Sequence, residues 1–248
     1  MSEELTAIIG GTGLTEYEGL SITESRVVET ELGCTTAPLV FGTLNEKPVV
    51  FLARHGESHT VPPHKVNYRA NILALNEVGV KRIIAVNAVG GISEKMIANA
   101  ICLPDQIIDY THGRQDTFFD GEFKPLDHVD SSYPYDDALS NSLNRAAQAS
   151  QIEVEKGGVY GATQGPRLET AAEILRLEKD GCDIVGMTGM PEAVLARELD
   201  LPYACISLVV NPAAGKSNEL ITMDDIRRVI ASGMQDVKSI IAAYLKAA

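Results

Sequence analysis

Residues 67–91 read NYRANILALNEVGVKRIIAVNAVGG. From Asn67 to Leu75 the apolar residues fall on one helical stripe, and Gly79 ends the helix. Ile83-Ile84-Ala85-Val86 is then a continuous apolar run of strand type, and it stops in the small and polar cluster Asn87-Ala88-Val89-Gly90-Gly91. A helix leading at once into a buried strand is the repeating unit of a mostly parallel α/β sheet. The way the strand ends matters as well, because open α/β sheets bind ligands just past the carboxyl ends of their strands.

Four further runs end in the same manner. Ala7-Ile8-Ile9 meets Gly10-Gly11-Thr12-Gly13, and Val49 to Ala53 meets Arg54-His55-Gly56. Ile184-Val185 meets Gly186-Met187-Thr188-Gly189, and Ala204 to Val210 meets Asn211-Pro212-Ala213-Ala214-Gly215. Five such ends predict the rim of one small-molecule site. Helices are expected over 137–148, over 170–180 with Gly181 as the stop, over 191–199 with Pro191 at the start, and over 223–248 behind Thr222 as N-cap. Residues 25–32 and 37–41 read as short strands of a hairpin-like insertion, and 110–136 as a long loop of the kind that is functional or lies at an interface. No repeat or linker interrupts the chain, so the expectation is a single α/β domain over residues 1–248, with one mixed, mostly parallel sheet flanked by helices.

The composition restricts the partners. The chain has 248 residues, 45% of them hydrophobic and 22% charged, as in ordinary water-exposed globular domains. Its formal net charge of −13 disfavours nucleic acid as a partner, yet a local arginine with backbone N–H groups still suits a small anion. The acidic start Met-Ser-Glu-Glu does not read as a signal peptide, and no apolar run has the length of a membrane span. Cys34, Cys102, Cys182 and Cys205 are widely spaced without a CxxC pair, which predicts buried free thiols in a reducing cytoplasm.

Each strand end admits a chemical and a plain structural reading. The 10–13 glycine turn lacks the dinucleotide fingerprint and the P-loop Gly-Lys-Ser/Thr. Its N–H groups with the Thr12 hydroxyl could hold an oxyanion, or it is simply a tight turn. Arg54 is suited to a bidentate phosphate contact, or to a salt bridge with one of the 34 acidic residues. His55, His59 and His64 have no metal-ligand spacing and read as loop residues or helpers to Arg54. Thr188 sits near a helix start, a further place for phosphate, while Met187 is an apolar wall or a core methionine.

Several motifs in order resemble a known family: Gly-Gly-Thr-Gly-Leu at 10–14, Ala-Arg-His-Gly at 53–56, His64 to Asn71, Gly165-Pro166-Arg167, Gly186-Met187-Thr188 and Pro191 to Ala196. They resemble the 5′-methylthioadenosine phosphorylases and the trimeric purine nucleoside phosphorylases from about residue 6 to about residue 230, with most likeness to the bacterial branch acting on 5′-methylthioinosine. The resemblance implies a cytoplasmic homotrimer in which inorganic phosphate attacks C1′ of a nucleoside and displaces the purine, with no metal or organic cofactor. It assigns phosphate to Thr12, Arg54, His55, Asn87, Ala88 and Thr188. It assigns the ribose to Met187, and the base to Glu169, Asn211, Pro212 and Ala213. It places Met223 and Ile226 over the 5′ group, and brings His128 to a neighbouring subunit's site. Arg54, His55 and Asn211 are the residues expected to carry the chemistry. A ribosyl cation between a departing purine and an incoming anion needs a fixed nucleophile and a proton-sharing partner for the base.

The chain departs from the adenosine-type pattern, which has aspartates at the positions of Asn211 and Ala213 and a serine at that of Glu169. An asparagine amide offers one donor and one acceptor face, matching a 6-oxo group and a protonated N7. Ionised Glu169 accepts from N1–H of a 6-oxopurine but opposes the N1 lone pair of adenine. Such a mismatch in a buried site discriminates by roughly 10⁴-fold. Hypoxanthine or guanine is therefore expected over adenine. Against this, Asn211 before proline is also a turn former, and Glu169 is also a carboxylate at a helix start. Met223 and Ile226 suit a methylthio group, or simply face the core. Thus 5′-methylthioinosine phosphorolysis leads. Inosine and guanosine phosphorolysis, methylthioadenosine phosphorolysis, a phosphate-independent nucleoside-binding protein and a hydrolytic nucleosidase stand as alternatives.

Overall fold

Alternation along the central strands sends successive side chains to two separate cores. In β1 (Thr6–Gly10) Ile8 faces one side, and Ala7 and Ile9 the other. The computed structural model describes residues 4–11, 19–217 and 222–247. After β1 come β2 (Ser21–Arg26), β3 (Glu29–Thr30), β4 (Gly33–Cys34), β5 (Leu39–Leu44) and β6 (Lys47–Ala53). Then follow α1 (Tyr68–Glu77), β7 (Arg82–Gly91), β8 (Ile101–Leu103) and β9 (Gln106–Asp109). The second half holds α2 (Asp137–Ala149), β10 (Glu155–Lys156), β11 (Val159–Ala162), α3 (Ala171–Lys179), β12 (Ile184–Gly186), α4 (Gly189–Glu198), β13 (Tyr203–Pro212) and α5 (Met223–Ala247).

The main sheet runs β10-β8-β13-β7-β1-β6-β5-β2, and β12, β11 and β9 branch from β7. Its centre is parallel: Ile8 registers with Phe51 of β6 and Ile84 of β7, and Ile206 of β13 with Val86. One face packs on α2 and α5 through Leu143, Val237, Ile240 and Ile241. The other packs on α1 and α4 through Ile72, Leu75, Ala193 and Leu195.

Helix boundaries follow the local caps. Asn67 caps α1 by accepting from Ala70 N, so the helix begins at Tyr68. Thr170 and Glu173 form a reciprocal capping box at α3. Thr222 Oγ1 accepts from Asp225 N at the start of α5. Residues 110–136 contain no helix or strand, in line with the expected long loop.

Three readings change. The insertion is not two strands over 25–32 and 37–41. β2 pairs antiparallel with β5 as the sheet edge, while β3 and β4 form a separate two-stranded sheet. Cys102, Cys182 and Cys205 are buried free thiols, but Cys34 is exposed. Above all, β12 runs antiparallel to β7, pairing Ile184 with Gly91 and Val185 with Gly90. The five strand ends therefore do not point the same way. β7 and β13 run several residues beyond the end of β1, and β12 returns alongside this extension of β7.

Candidate active site

β1 and β6 end side by side, with Arg54 N donating to Gly10 O at 2.9 Å. Thr12, expected at the phosphate position, lies outside the described residues. Arg54 is 1% exposed, and its fork faces inward. Nε and Nη2 donate to the two carboxylate oxygens of Glu192 on α4, both at 2.6 Å, and Nη1 donates to Val86 O at 3.3 Å. Tyr203 OH donates to the same carboxylate at 2.9 Å. The bidentate edge read as a phosphate clamp is thus a buried salt bridge. A buried cation needs a counter-charge, and the first turn of α4 supplies it. Burial alone would lower the Arg54 pKa, but the Glu192 charge and hydrogen bond more than reverse this, so the guanidinium stays cationic beneath the strand ends.

His55 follows on the surface side. Desolvation, and then the Arg54 charge, push its pKa down to about 4, so the ring is neutral at pH 7. Its Nδ1 lies 2.9 Å from Val61 O, which makes Nδ1 the protonated nitrogen and leaves Nε2 as an acceptor.

The extension of β7 carries Asn87 and Ala88. Asn87 is buried and holds Cys205 Sγ at 3.3 Å through Nδ2, while its Oδ1 accepts from Thr188 Oγ1 at 3.3 Å. Ala88, next in β7, is exposed. Thr188 arrives here because β12 is antiparallel. It stands at the N-cap position of α4 but makes no side-chain cap, and Met190 interrupts the helix with φ −115° and ψ 137°. The regular helix therefore starts at Pro191, as read, and the Thr188 hydroxyl faces Asn87 rather than an open helix terminus. The Thr188 N–H points to Tyr160 OH at 3.4 Å. That hydroxyl also explains Gly186, where a methyl group would collide with it.

Met187 is half-buried against Gly165, whose added Cβ would collide with the methionine sulfur. Glu169 is half-buried, and its Oε1 accepts from Thr163 Oγ1 at 2.6 Å. It does not serve as the α3 terminus carboxylate, since Glu173 fills that role in the capping box. Instead it lines a cavity of about 600 Å³ with Asp109, Thr111, His112, Thr163 and Gln164. Thr163 N donates to Gly186 O at 2.8 Å, which ties this cavity to the Met187 turn.

Asn211 follows an irregularity in β13 between Val209 and Asn211 and pairs with Gly90. Its Nδ2 donates to Pro212 O at 2.6 Å, as a turn-forming asparagine would, so the amide N–H expected to meet a 6-oxo group is engaged by the backbone. Ala213 is buried, with its N–H on Gly91 O at 2.7 Å. The remaining calls are not gathered with these. Met223 is 58% exposed at the start of α5, against the core-facing reading, while Ile226 packs at the edge of the α2/α5 core. His128 is exposed on the 110–136 segment.

Glu192, Tyr203, Tyr160, Thr163 and Arg114 belong to this constellation and were not singled out from sequence. Glu192 had a legible signal: a lone carboxylate in the otherwise apolar run Pro191 to Ala196. Among the described residues no group of three or more His, Cys, Asp or Glu side chains is placed to hold a metal ion, and no helix is long and apolar enough to cross a membrane.

Comparison with known proteins gives the same class. The model of the Phosphorylase superfamily matches residues 6–246. A probable S-methyl-5′-thioinosine phosphorylase of Pseudomonas syringae pv. tomato is 54% identical over 97% of this chain and 98% of its own. The 6-oxopurine nucleoside phosphorylase of Pyrococcus furiosus is 41% identical over 96% and 91%. Among solved structures, methylthioadenosine phosphorylase from Schistosoma mansoni in complex with adenine superposes with a TM-score of 0.93 at 30% identity, covering 98% of this chain and 91% of that one. The chain belongs to the Phosphorylase superfamily. It is an enzyme of the nucleoside phosphorylase type, a pentosyltransferase.

Proposed function

We propose that the enzyme phosphorolyses S-methyl-5′-thioinosine to hypoxanthine and 5-methylthioribose 1-phosphate, with inorganic phosphate as co-substrate and no metal or organic cofactor. The observation that carries the base assignment is Glu169. Thr163 Oγ1 donates to one carboxylate oxygen at 2.6 Å, which orients the group as an acceptor beside the cavity. An oriented acceptor suits N1–H of a 6-oxopurine and opposes N1 of adenine. Asn211 Oδ1 supplies the acceptor for N7–H as the base departs. The names of the relatives at 54% and 41% identity, one for methylthioinosine and one for 6-oxopurine nucleosides, agree with a 6-oxo base.

Phosphate is placed over Asn87, Ala88 and Thr188, with Thr12 and His55 beside it. Arg54 contributes the field of a fixed cation and Nη1, not a bidentate clamp. Neutral His55 accepts from a protonated phosphate oxygen through Nε2. Held on the face of the ribose opposite the base, the anion meets the ribosyl cation as it forms. Met187 bounds the sugar.

The exposure of Met223 favours a second reading, phosphorolysis of inosine and guanosine, because the 5′ wall is not closed over by this chain alone. A homotrimer is part of the proposal, with His128 of each chain reaching its neighbour's site. A cytoplasmic location is supported by four free cysteines, three of them buried.

The test is purine release from methylthioinosine, inosine and methylthioadenosine, each with and without phosphate. Methylthioinosine should be turned over fastest, and only with phosphate. Faster release of adenine from methylthioadenosine would overturn the Glu169 assignment, and faster inosine turnover would select the second reading. Release without phosphate would indicate a hydrolase.

A further inference from the structure

Arg114 lies on the connection between β9 and α2, and its partners are unusual for a half-buried guanidinium. Among the described residues they are all neutral. Nη1 donates to Met187 O at 2.9 Å and Met190 O at 2.6 Å. Nη2 donates to Thr163 O at 3.2 Å and Gln164 O at 2.9 Å. Nε donates to Gln164 Oε1 at 3.1 Å, and the group stands 5.5 Å from the centre of the Tyr68 ring.

These acceptors belong to two segments with different tasks. Residues 163–164 leave β11 and carry Thr163, which orients Glu169. Residues 187–190 leave β12 and carry Met187 and Thr188. The two strands pair in parallel as far as Ala162 and Gly186. Beyond that point Arg114 spans the gap, with Nη1 on the 187–190 segment and Nη2 and Nε on the 163–164 segment.

We propose that Arg114 is a positioning residue that sets the spacing between the base-reading carboxylate and the wall that holds ribose and phosphate. This rests on the function proposed above. Planarity is what the arrangement uses: a guanidinium presents five donors in a fixed fork and meets carbonyls on both segments at once. A lysine ammonium has three donors at one point and cannot hold both segments at the same separation. Since the glycosidic bond breaks between the base and the sugar, an error in that spacing falls on the reacting geometry. Loss of the spacer should therefore affect turnover and base selectivity together.

The experiment compares wild type, Arg114→Lys and Arg114→Ala at a temperature well below each melting point. Arg114→Lys should lower kcat by about 10²-fold, the cost of a misplacement of order 1 Å. The ratio of 6-oxo to 6-amino nucleoside kcat/KM should fall by about 10-fold or more, one decade being roughly 1.4 kcal/mol. Added guanidinium ion should partly restore kcat in Arg114→Ala. If Arg114→Lys keeps kcat and the base ratio within about twofold of wild type while only Tm falls, Arg114 is a structural strut and the proposal is overturned. Arg114→Lys, which keeps the stem and the charge, carries this result even if Arg114→Ala fails to fold. The wild-type panel separates the two proposals. A wild type that prefers a 6-aminopurine overturns the function above. The Arg114 proposal is then judged by whether the variant erodes that preference.

Discussion

The Arg54–Glu192 pair shows how one residue is read differently alone and in place. An arginine at the end of a buried strand needs an anion, and here the anion is permanent. Both partners are about 1% exposed, and Tyr203 donates a third hydrogen bond to the carboxylate. Removing one charge of such a pair leaves the other buried and uncompensated, which costs about 3–5 kcal/mol. Glu192→Gln should therefore destabilise the protein by about that amount in denaturant unfolding. The double variant Arg54→Met/Glu192→Gln should recover a large part of the loss, because it removes the stranded cation. If Glu192→Gln unfolds at the wild-type denaturant concentration, the pair is not the buried counter-charge described. Of the candidate residues, Arg54 is legible by its chemical type, and Glu169 and Asn211 through the resemblance. The partners Glu192 and Thr163 are not legible in this way, because a side chain's type shows what it needs and not which neighbour meets the need.

At the scale of elements, the β5–β6 hairpin turns on two residues, Asn45 and Glu46, with φ of 51° and 66°. A two-residue turn with both φ positive is of type I′, which prefers Asn-Gly. Asn45 fits, and its Nδ2 also holds Ala242 O of α5 at 2.9 Å. Glu46 is exposed and carries a Cβ in a region that suits glycine. Glu46→Gly should raise stability by about 1 kcal/mol, the lower end of what a left-handed conformation costs an L-residue, measured as a higher Tm with unchanged kcat. A lower Tm would show that the Glu46 side chain contributes more than its backbone costs. The larger elements are legible from local signals: the apolar stripe after Asn67, the cap at Thr222, and the apolar runs of β1, β6, β7 and β13. The direction of β12 is not. Three apolar residues have the same pattern whether the strand runs with β7 or against it.

For the molecule as a whole, His55 links folding to pH. Its folded pKa is about 4, below the ordinary 6.5, because burial and the Arg54 charge disfavour the protonated ring. Between those two values the unfolded chain binds the proton and the folded chain does not. This contribution to stability is complete above pH 6.5 and is lost as the pH falls towards 4. A Tm profile of wild type against His55→Gln should show a steeper acid decline in wild type over that window. Parallel profiles would mean that His55 is not held neutral by the fold.

The sequence by itself determined what depends on neighbours a few positions apart. That covers strand and helix periodicity, helix caps, the polar clusters at strand ends, and the ordered motifs that resemble the phosphorylases. The tertiary structure alone decided the rest. Arg54 meets a carboxylate 138 positions away, and Arg114 meets carbonyls 49 to 76 positions away. Thr188 reaches Asn87 because β12, which precedes it, runs antiparallel to the end of β7. Local pattern follows from the backbone geometry that each short stretch favours. The pairing of a buried charge, or the direction of a short strand, is settled by which distant groups the finished core leaves to be satisfied.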